Sequence, residues 1–273
     1  MLILIFALIS LAVTVLCAVL GSPAPAELWK YALLFVLGVP AVTVLYVLGA
    51  AVCSLFITTD VPKKKQSALC RAICRGAGDI CCFYGRVRTH VSGTEKLPAD
   101  GRFLLVGNHR SAFDPLALLH SLPEQNIAFI SKPENMKLPV VGRIAYGACF
   151  LPIDRDNARE ALATIRNAET YLNGDMCSIC IFPEGTRSHT RELLAFHAGS
   201  FKIAHRAKVP LVIASISGTD RIRGNFPLRR TDVYIDILQT VPYEELRTAT
   251  TAELAEKART MITGKLAERE NWA

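Results

Sequence analysis

The hydrophobic pattern divides the chain into two unlike parts. Residues 1–26 carry no charged side chain, and residues 31–59 again carry none. Crossing a hydrocarbon core takes about 20 apolar residues in a helix, so each stretch is long enough. The link Gly21–Lys30 contains Pro23 and Pro25, which suit a turn. A helical hairpin is predicted over 1–62, with Gly38 and Pro40 marking a kink or a re-entrant dip in its second arm. A cleaved signal peptide would open on a positive segment, and none precedes the first apolar run. Over 66–84 the period changes. Leu69, Cys70, Ile73, Cys74, Ala77, Ile80 and Cys81 recur at helical spacing, while Arg71, Arg75 and Asp79 fall on another face. This predicts an amphipathic helix, either interfacial or facing a protein core.

Past residue 90, short apolar runs alternate with helical patterns. Phe103–Val106, Ile127–Ile130, Cys149–Ile153, Met176–Phe182, Val209–Ser217 and Val233–Leu238 read as strands. Helices are predicted over 157–172, with Asp154 or Asp156 as cap and Asn173-Gly174 as stop, over Phe196–Lys208 and over Thr251–Glu268. Alternation of this kind predicts an α/β domain with a mixed, largely parallel sheet flanked by helices. The expected division is a hairpin anchor at 1–62, an amphipathic linker at 63–89 and the α/β domain at 90–273.

Charge sharpens the division. Residues 1–62 hold one base, Lys30, and two acids, Glu27 and Asp60, whereas the chain as a whole carries +7. A basic domain behind an almost uncharged leader favours anionic lipid or a phosphorylated substrate as partner. The bases are scattered and no nucleic-acid-binding motif is present, so nucleic acid is not expected. Lys63, Lys64 and Lys65 directly follow the second apolar arm, which predicts a cytoplasmic basic domain held at the cell membrane. A composition of 51% hydrophobic residues with 20% charged ones excludes disorder as the main state. Cytosolic placement implies reduced cysteines. Cys177 and Cys180 form a C-x-x-C, but in a strand residues three apart face opposite ways, so no metal site is expected.

Two segments carry candidate chemistry. Gly107-Asn-His-Arg-Ser-Ala-Phe-Asp-Pro115 follows a strand and opens a helical run. His109 and Asp114 are spaced so that the carboxylate can accept from Nδ1–H and leave Nε2 as a base. The competing reading is a loop histidine with Asp114 as helix cap before Pro115. No G-x-S-x-G elbow exists in the chain, so a His–Asp pair without a nucleophile points to activation of a substrate hydroxyl. The second segment, Ile181-Phe-Pro-Glu-Gly-Thr-Arg-Ser188, also follows a strand. Gly185 permits close backbone approach, Arg187 offers a planar fork for phosphate, Thr186 and Ser188 add hydroxyls, and Glu184 either orients the arginine or holds the loop. The competing reading is a tight turn with a solvated Arg187. Lys132, Arg155 and Lys202 sit near strand or helix ends, and Arg221, Arg223, Arg229 and Arg230 flank Gly224–Leu228, where they suit lipid headgroups.

Together, Asn108-His109-x4-Asp114-Pro115 and, about 70 residues later, Phe182-Pro-Glu-Gly-Thr-Arg-Ser188 resemble the glycerolipid acyltransferase superfamily. The resemblance is to the 1-acylglycerol-3-phosphate (lysophosphatidate) acyltransferases. Gly147–Arg155 and Val209–Ile213 resemble the family's two other blocks, and the match covers about residues 90–220. It implies the glycerolipid acyltransferase fold and transfer of a fatty acyl group from acyl-CoA or acyl carrier protein to the free hydroxyl of lysophosphatidate. His109 would be the base and Asp114 its orienter. Arg155, Glu184, Gly185, Thr186, Arg187 and Lys132 would shape the acceptor site. No cofactor is implied, because the thioester supplies the driving force. Sibling acyltransferases with other acceptors and a phospholipid transacylase remain open alternatives. The stretch 221–230 lies outside the resemblance.

Overall fold

The structure is a computed structural model that describes residues 2–21, 24–155, 157–188 and 192–270; Pro23 and Asp156 of the sequence expectations lie outside them. Two long helices open the chain, α1 (Leu2–Gly21) and α2 (Leu28–Ser54), and both are long and apolar enough to cross a membrane. They pack on each other. A side chain at Gly38 would collide with Ser10, whose Oγ instead donates to Phe35 O at 2.8 Å, so the glycine lets the arms approach. Pro40 lies inside a continuous α2.

α3 (Ala68–Tyr84) starts at Ser67, whose side chain accepts from Cys70 N. Of the two sequence alternatives, its apolar face is the protein-facing one. Cys70 packs with Ile144 and Ala148, and Gly78 comes against the backbone of Leu116 and His120. Arg71 is exposed and Arg75 half-buried.

The remainder builds a seven-stranded sheet in the order β1-β7-β6-β2-β5-β3-β4. The strands are β1 (Val87–Ser92), β2 (Leu104–Gly107), β3 (Ile127–Ser131), β4 (Leu151–Pro152), β5 (Ser178–Ile181), β6 (Leu211–Ser217) and β7 (Thr231–Val241). Every pairing is parallel except β6 with β7. Helices intervene as α4 (Asp114–Ser121), α5 (Pro133–Met136), α6 (Val141–Gly147), α7 (Ala158–Asn173), α8 (Lys202–Ala207), α9 (Ile222–Asn225), α10 (Tyr243–Leu246) and α11 (Thr251–Glu270).

Alternate side chains of each strand feed two cores. Leu104, Val106, Ile179, Ile181, Leu211 and Ile213 meet α7, α8 and α11 on one face. Leu105, Phe129, Cys180, Phe182, Val212 and Ile216 meet α4 and Ile222 on the other. Burial on both faces is why these strands read as unbroken apolar runs. Cys177 and Cys180 fall in different cores, as strand alternation requires.

Several local expectations change. β1 crosses residue 89/90, where the pattern divides linker from domain, and was not anticipated. It is an edge strand with half-exposed Val87, Thr89 and His90, so it lacks an apolar run. Asn157 caps α7, its Oδ1 accepting from Arg159 N and Glu160 N, in place of Asp154. The helix expected over Phe196–Lys208 is a 3₁₀ turn (Ala198–Phe201) followed by α8, and Lys208 at φ 55° ends it in the left-handed region. The strand expected at Cys149–Ile153 contracts to the two residues of β4.

Candidate active site

β6, β2, β5, β3 and β4 run parallel, so their carboxyl ends share one side of the sheet. The loops leaving these ends bring Thr219, His109, Glu184, Lys132 and Arg155 to that side, the usual place for a site on such a sheet. The two motif loops follow β2 and β5, which are parallel neighbours. Segments far apart in the chain thus start side by side, because parallel strands are joined by long crossovers.

The first loop is pinned at both ends. Asn108 is fully buried, and its amide donates to Ile216 O and accepts from Ile216 N, both at 2.8 Å. This continues the β2–β6 pairing by one side-chain step. Asp114, also fully buried, draws the loop closed. Its Oδ2 accepts from His109 Nδ1, Arg110 N and Ser111 N, each at 2.8 Å, and its Oδ1 accepts from Thr219 Oγ1. Asp114 is the first residue of α4, with Pro115 next, yet its carboxylate bonds backward to the loop rather than capping the helix. A carboxylate with these donors receives Nδ1–H, so the lone pair of His109 resides on Nε2. The ring stacks on Phe182 with centroids 4.4 Å apart and planes 10° apart, and its side chain stays 20% exposed. One face is covered and the reactive edge remains open.

The second loop is fastened from within. Glu184 is 3% exposed; its Oε1 accepts from His109 N at 2.6 Å and its Oε2 from Leu194 N at 3.0 Å. Burial pushes its carboxyl above the usual range, against the pull of those two N–H groups. Ser188 N donates to His109 O at 3.0 Å, so the two motif loops are joined by hydrogen bonds in both directions. Of the two roles open to Glu184, the geometry is the loop-holding one. Thr186 and Arg187 sit exposed at the outer end of this loop.

Gly185 at φ +81° lies against Arg155, and any Cβ would collide with the guanidinium. Arg155 Nη2 donates to Phe182 O at 3.3 Å, and partial desolvation of the guanidinium against this loop lowers its affinity for a proton below that of a free arginine. Gly185 and Arg155 line a cleft of about 780 Å³ together with Lys132 and Lys137. Its wall also holds Glu134, Asp154 and Glu160, so the cleft is charged with both signs. The loop from Phe182 to Gly185 separates this cleft from the His109 ring. The structure therefore forms two adjoining parts: a histidine–aspartate pair, and a cleft of mixed charge lined by Lys132, Arg155 and Gly185 among others.

Thr219 and Phe182 were not singled out for the roles they occupy. Phe182 lies within a recognised motif, but nothing local announces that it stacks on His109. Thr219 follows β6, 105 residues from Asp114, and no sequence spacing connects them.

Residues 88–217 match the family model described as Acyltransferase. The chain is 30% identical over 180 residues to 1-acyl-sn-glycerol-3-phosphate acyltransferase alpha of Bos taurus, covering 65% of this chain and 62% of that protein. It is 29% identical over 175 residues to 1-acyl-sn-glycerol-3-phosphate acyltransferase of Salmonella typhimurium, covering 63% of this chain and 71% of that protein. The chain thus spans somewhat under two thirds of the mammalian relative's length. The fold is that of the crystal structure of the 1-acyl-sn-glycerophosphate (LPA) acyltransferase PlsC from Thermotoga maritima, with TM-score 0.63, 24% identity, and coverage of 83% of this chain and 89% of that one. Over residues 88–217 the chain is thus similar to the Acyltransferase family.

Proposed function

We propose that this chain moves a fatty acyl group from acyl-CoA or acyl carrier protein to the free hydroxyl of 1-acylglycerol 3-phosphate, giving phosphatidate. The observation that carries the reading is the buried Asp114 carboxylate on His109 Nδ1, with the imidazole 20% exposed and a cleft lined by Lys132 and Arg155 across the Phe182–Gly185 loop. The names of the relatives support the same acceptor.

In this reading His109 Nε2 takes the proton of the acceptor hydroxyl as its oxygen attacks the thioester carbonyl. Asp114 holds the imidazole in one orientation and stabilises the imidazolium that forms. The tetrahedral oxyanion collapses, the C–S bond breaks, and the leaving sulfur takes the proton from Nε2. The histidine returns to its starting state and no residue becomes acylated. Lys132 and Arg155, which line the cleft, provide positive charge for the acceptor phosphate, Arg187 adds an exposed guanidinium two residues beyond Gly185, outside the cleft lining, and Gly185 leaves the room Arg155 occupies. Glu184 and Thr186 shape the loop between them.

The hairpin of residues 1–62 is assigned as the membrane anchor, 63–89 as its link and 90–273 as the catalytic domain on the cytoplasmic side of the cell membrane. A substrate that resides in the bilayer gives the apolar arms a purpose. The test is phosphatidate formation in liposomes by the wild type beside His109→Ala, with acyl-CoA and acyl carrier protein offered separately. Product from the wild type alone supports the reading and identifies the thiol carrier. No product with lysophosphatidate, but product with another lysolipid or from a phospholipid donor, replaces the acceptor or the donor.

A further inference from the structure

The loop between β6 and β7 lies beyond the matched residues and takes no part in the proposed chemistry. It runs Arg221-Ile-Arg-Gly-Asn-Phe-Pro-Leu-Arg-Arg230. Ile222 is buried and anchors it to the core beneath α4. Phe226 and Leu228, by contrast, are 56% and 80% exposed. Arg221, Arg223, Arg229 and Arg230 are exposed around them. Along the chain the acids flanking the loop are Asp220 and Asp232, and Asp232 is taken by His90 at 2.8 Å. Two large apolar side chains projecting among four arginines form an amphipathic tip. Scattered apolar residues on a surface are ordinary, but such a combination marks an interfacial element.

Its position decides the partner. β7 runs antiparallel to β6, so the loop sits at the same end of the sheet as His109. It begins just after Thr219, which holds Asp114. It is also tied toward the hairpin. Arg86 Nη1 donates to Leu228 O at 3.0 Å, and Thr231 N donates to Arg86 O at 3.1 Å. Two residues before Arg86, Tyr84 shares a hydrogen bond of 2.9 Å with Thr43 of α2, and the exposed Phe83 adjoins it.

We propose that residues 221–230 are a second membrane contact, in which Phe226 and Leu228 enter the acyl region and the arginines hold anionic headgroups. The loop then fixes the catalytic end of the domain against the bilayer, independently of the hairpin. Nucleic acid or an acidic protein would match the arginines but leave the apolar tip without a purpose. The proposal rests on the membrane-anchor reading for its geometry, not on the acyl-transfer reading.

The test uses the full chain in vesicles, with Phe226→Trp as reporter and the native tryptophans replaced as Trp29→Phe and Trp272→Phe. Vesicles of phosphatidylcholine with phosphatidylglycerol, their acyl chains brominated, should quench the reporter indole and shield it from aqueous acrylamide. A base near an anionic surface contributes about fivefold in affinity, so Arg223→Gln, Arg229→Gln and Arg230→Gln together should lower loop docking more than about tenfold. Replacing phosphatidylglycerol by phosphatidylcholine should do the same. Acrylamide quenching that is equal with and without vesicles overturns the proposal. So does bromine quenching indifferent to both headgroup charge and the arginines. Acyl transfer by the triple variant should keep its rate in detergent and lose it on vesicles. Docking without any acyl transfer would refute the proposed reaction alone; transfer without docking would refute this proposal alone.

Discussion

α4 has a histidine–aspartate pair at each end. At its start His109 Nδ1 lies 2.8 Å from Asp114 Oδ2, and at its close His120 Nδ1 lies 2.7 Å from Asp79 Oδ1. The two bonds are alike and their surroundings are not. Asp114 is fully buried and takes two backbone N–H groups and the Thr219 hydroxyl besides its histidine. Asp79 keeps a little exposure and accepts from Leu2 N at 3.1 Å, so it straps the first turn of α1 to α3 and α4. His109 lies among the loops at the carboxyl ends of the parallel strands, with a charged cleft across the Phe182–Gly185 loop. His120 lies in the last turn of α4, on the side of α3 and the hairpin. A pairwise distance therefore does not separate a candidate base from a structural tie. What surrounds the pair does.

The comparison is easiest to break with the two histidines. His109→Ala should lower phosphatidate formation by roughly 10²–10⁴-fold, the usual range for a lost general base, with an unchanged melting temperature. His120→Ala should alter stability and leave turnover within a few-fold; equal losses of turnover from both would erase the distinction. Asp114→Asn comes next. It retains size but removes the negative charge and trades one carboxylate oxygen for a donor NH2 that favours the wrong imidazole tautomer, so kcat should fall by at least about tenfold. A near-normal kcat would reduce Asp114 to a loop staple.

Arg187→Ala addresses the basic side of the site. Its exposed guanidinium should act mainly in binding, raising the KM for lysophosphatidate while kcat falls less. An unchanged KM would remove Arg187 from the phosphate site. Thr219→Val is subtler. It leaves one oxygen of a buried carboxylate without its donor, which costs about 1–3 kcal/mol. Thermal unfolding should show that loss, and kcat should drop less than in Asp114→Asn.

The smallest effect belongs to the Asp79 strap. Burial raises its carboxyl, but the bond from His120 and the Leu2 N–H outweigh it, so the folded group titrates below its ordinary value of 3.8. A depressed carboxyl stabilises the fold above the unfolded value and loses that contribution as pH falls through the folded one. Wild type should therefore exceed Asp79→Asn in stability at neutral pH, and the gap should close below about pH 4, on the scale of a single hydrogen-bonded charge. A gap that persists at lower pH would show that something other than this carboxylate's charge accounts for it.

How much could be read in advance depends on whether the information was local. The apolar arms, the buried parallel strands, α7 and α11 have periods or caps written in adjacent residues. His109, Asp114 and the Phe182–Ser188 segment are compact motifs, and so were recognisable. β1 was missed because an exposed edge strand needs no apolar run. Thr219 was missed because its partner is brought to it by the sheet. The basic stretch 221–230 was visible as charge, but its place just after Thr219, the partner of Asp114, was not.

The amino-acid sequence by itself determined an apolar leader, an alternating α/β domain and two loops bearing a histidine, an aspartate and an arginine-containing turn. Those follow from hydrophobic period and residue type, which act over a few neighbours. The tertiary structure alone decided that β2 and β5 lie side by side, which joins the two loops through Glu184 and Ser188. It also decided that Asp114 is dry and fully bonded, while Asp79, with the same partner type, becomes a strap. Both depend on strand order and burial, which are set by contacts between residues distant in the chain, and so no local pattern carries them.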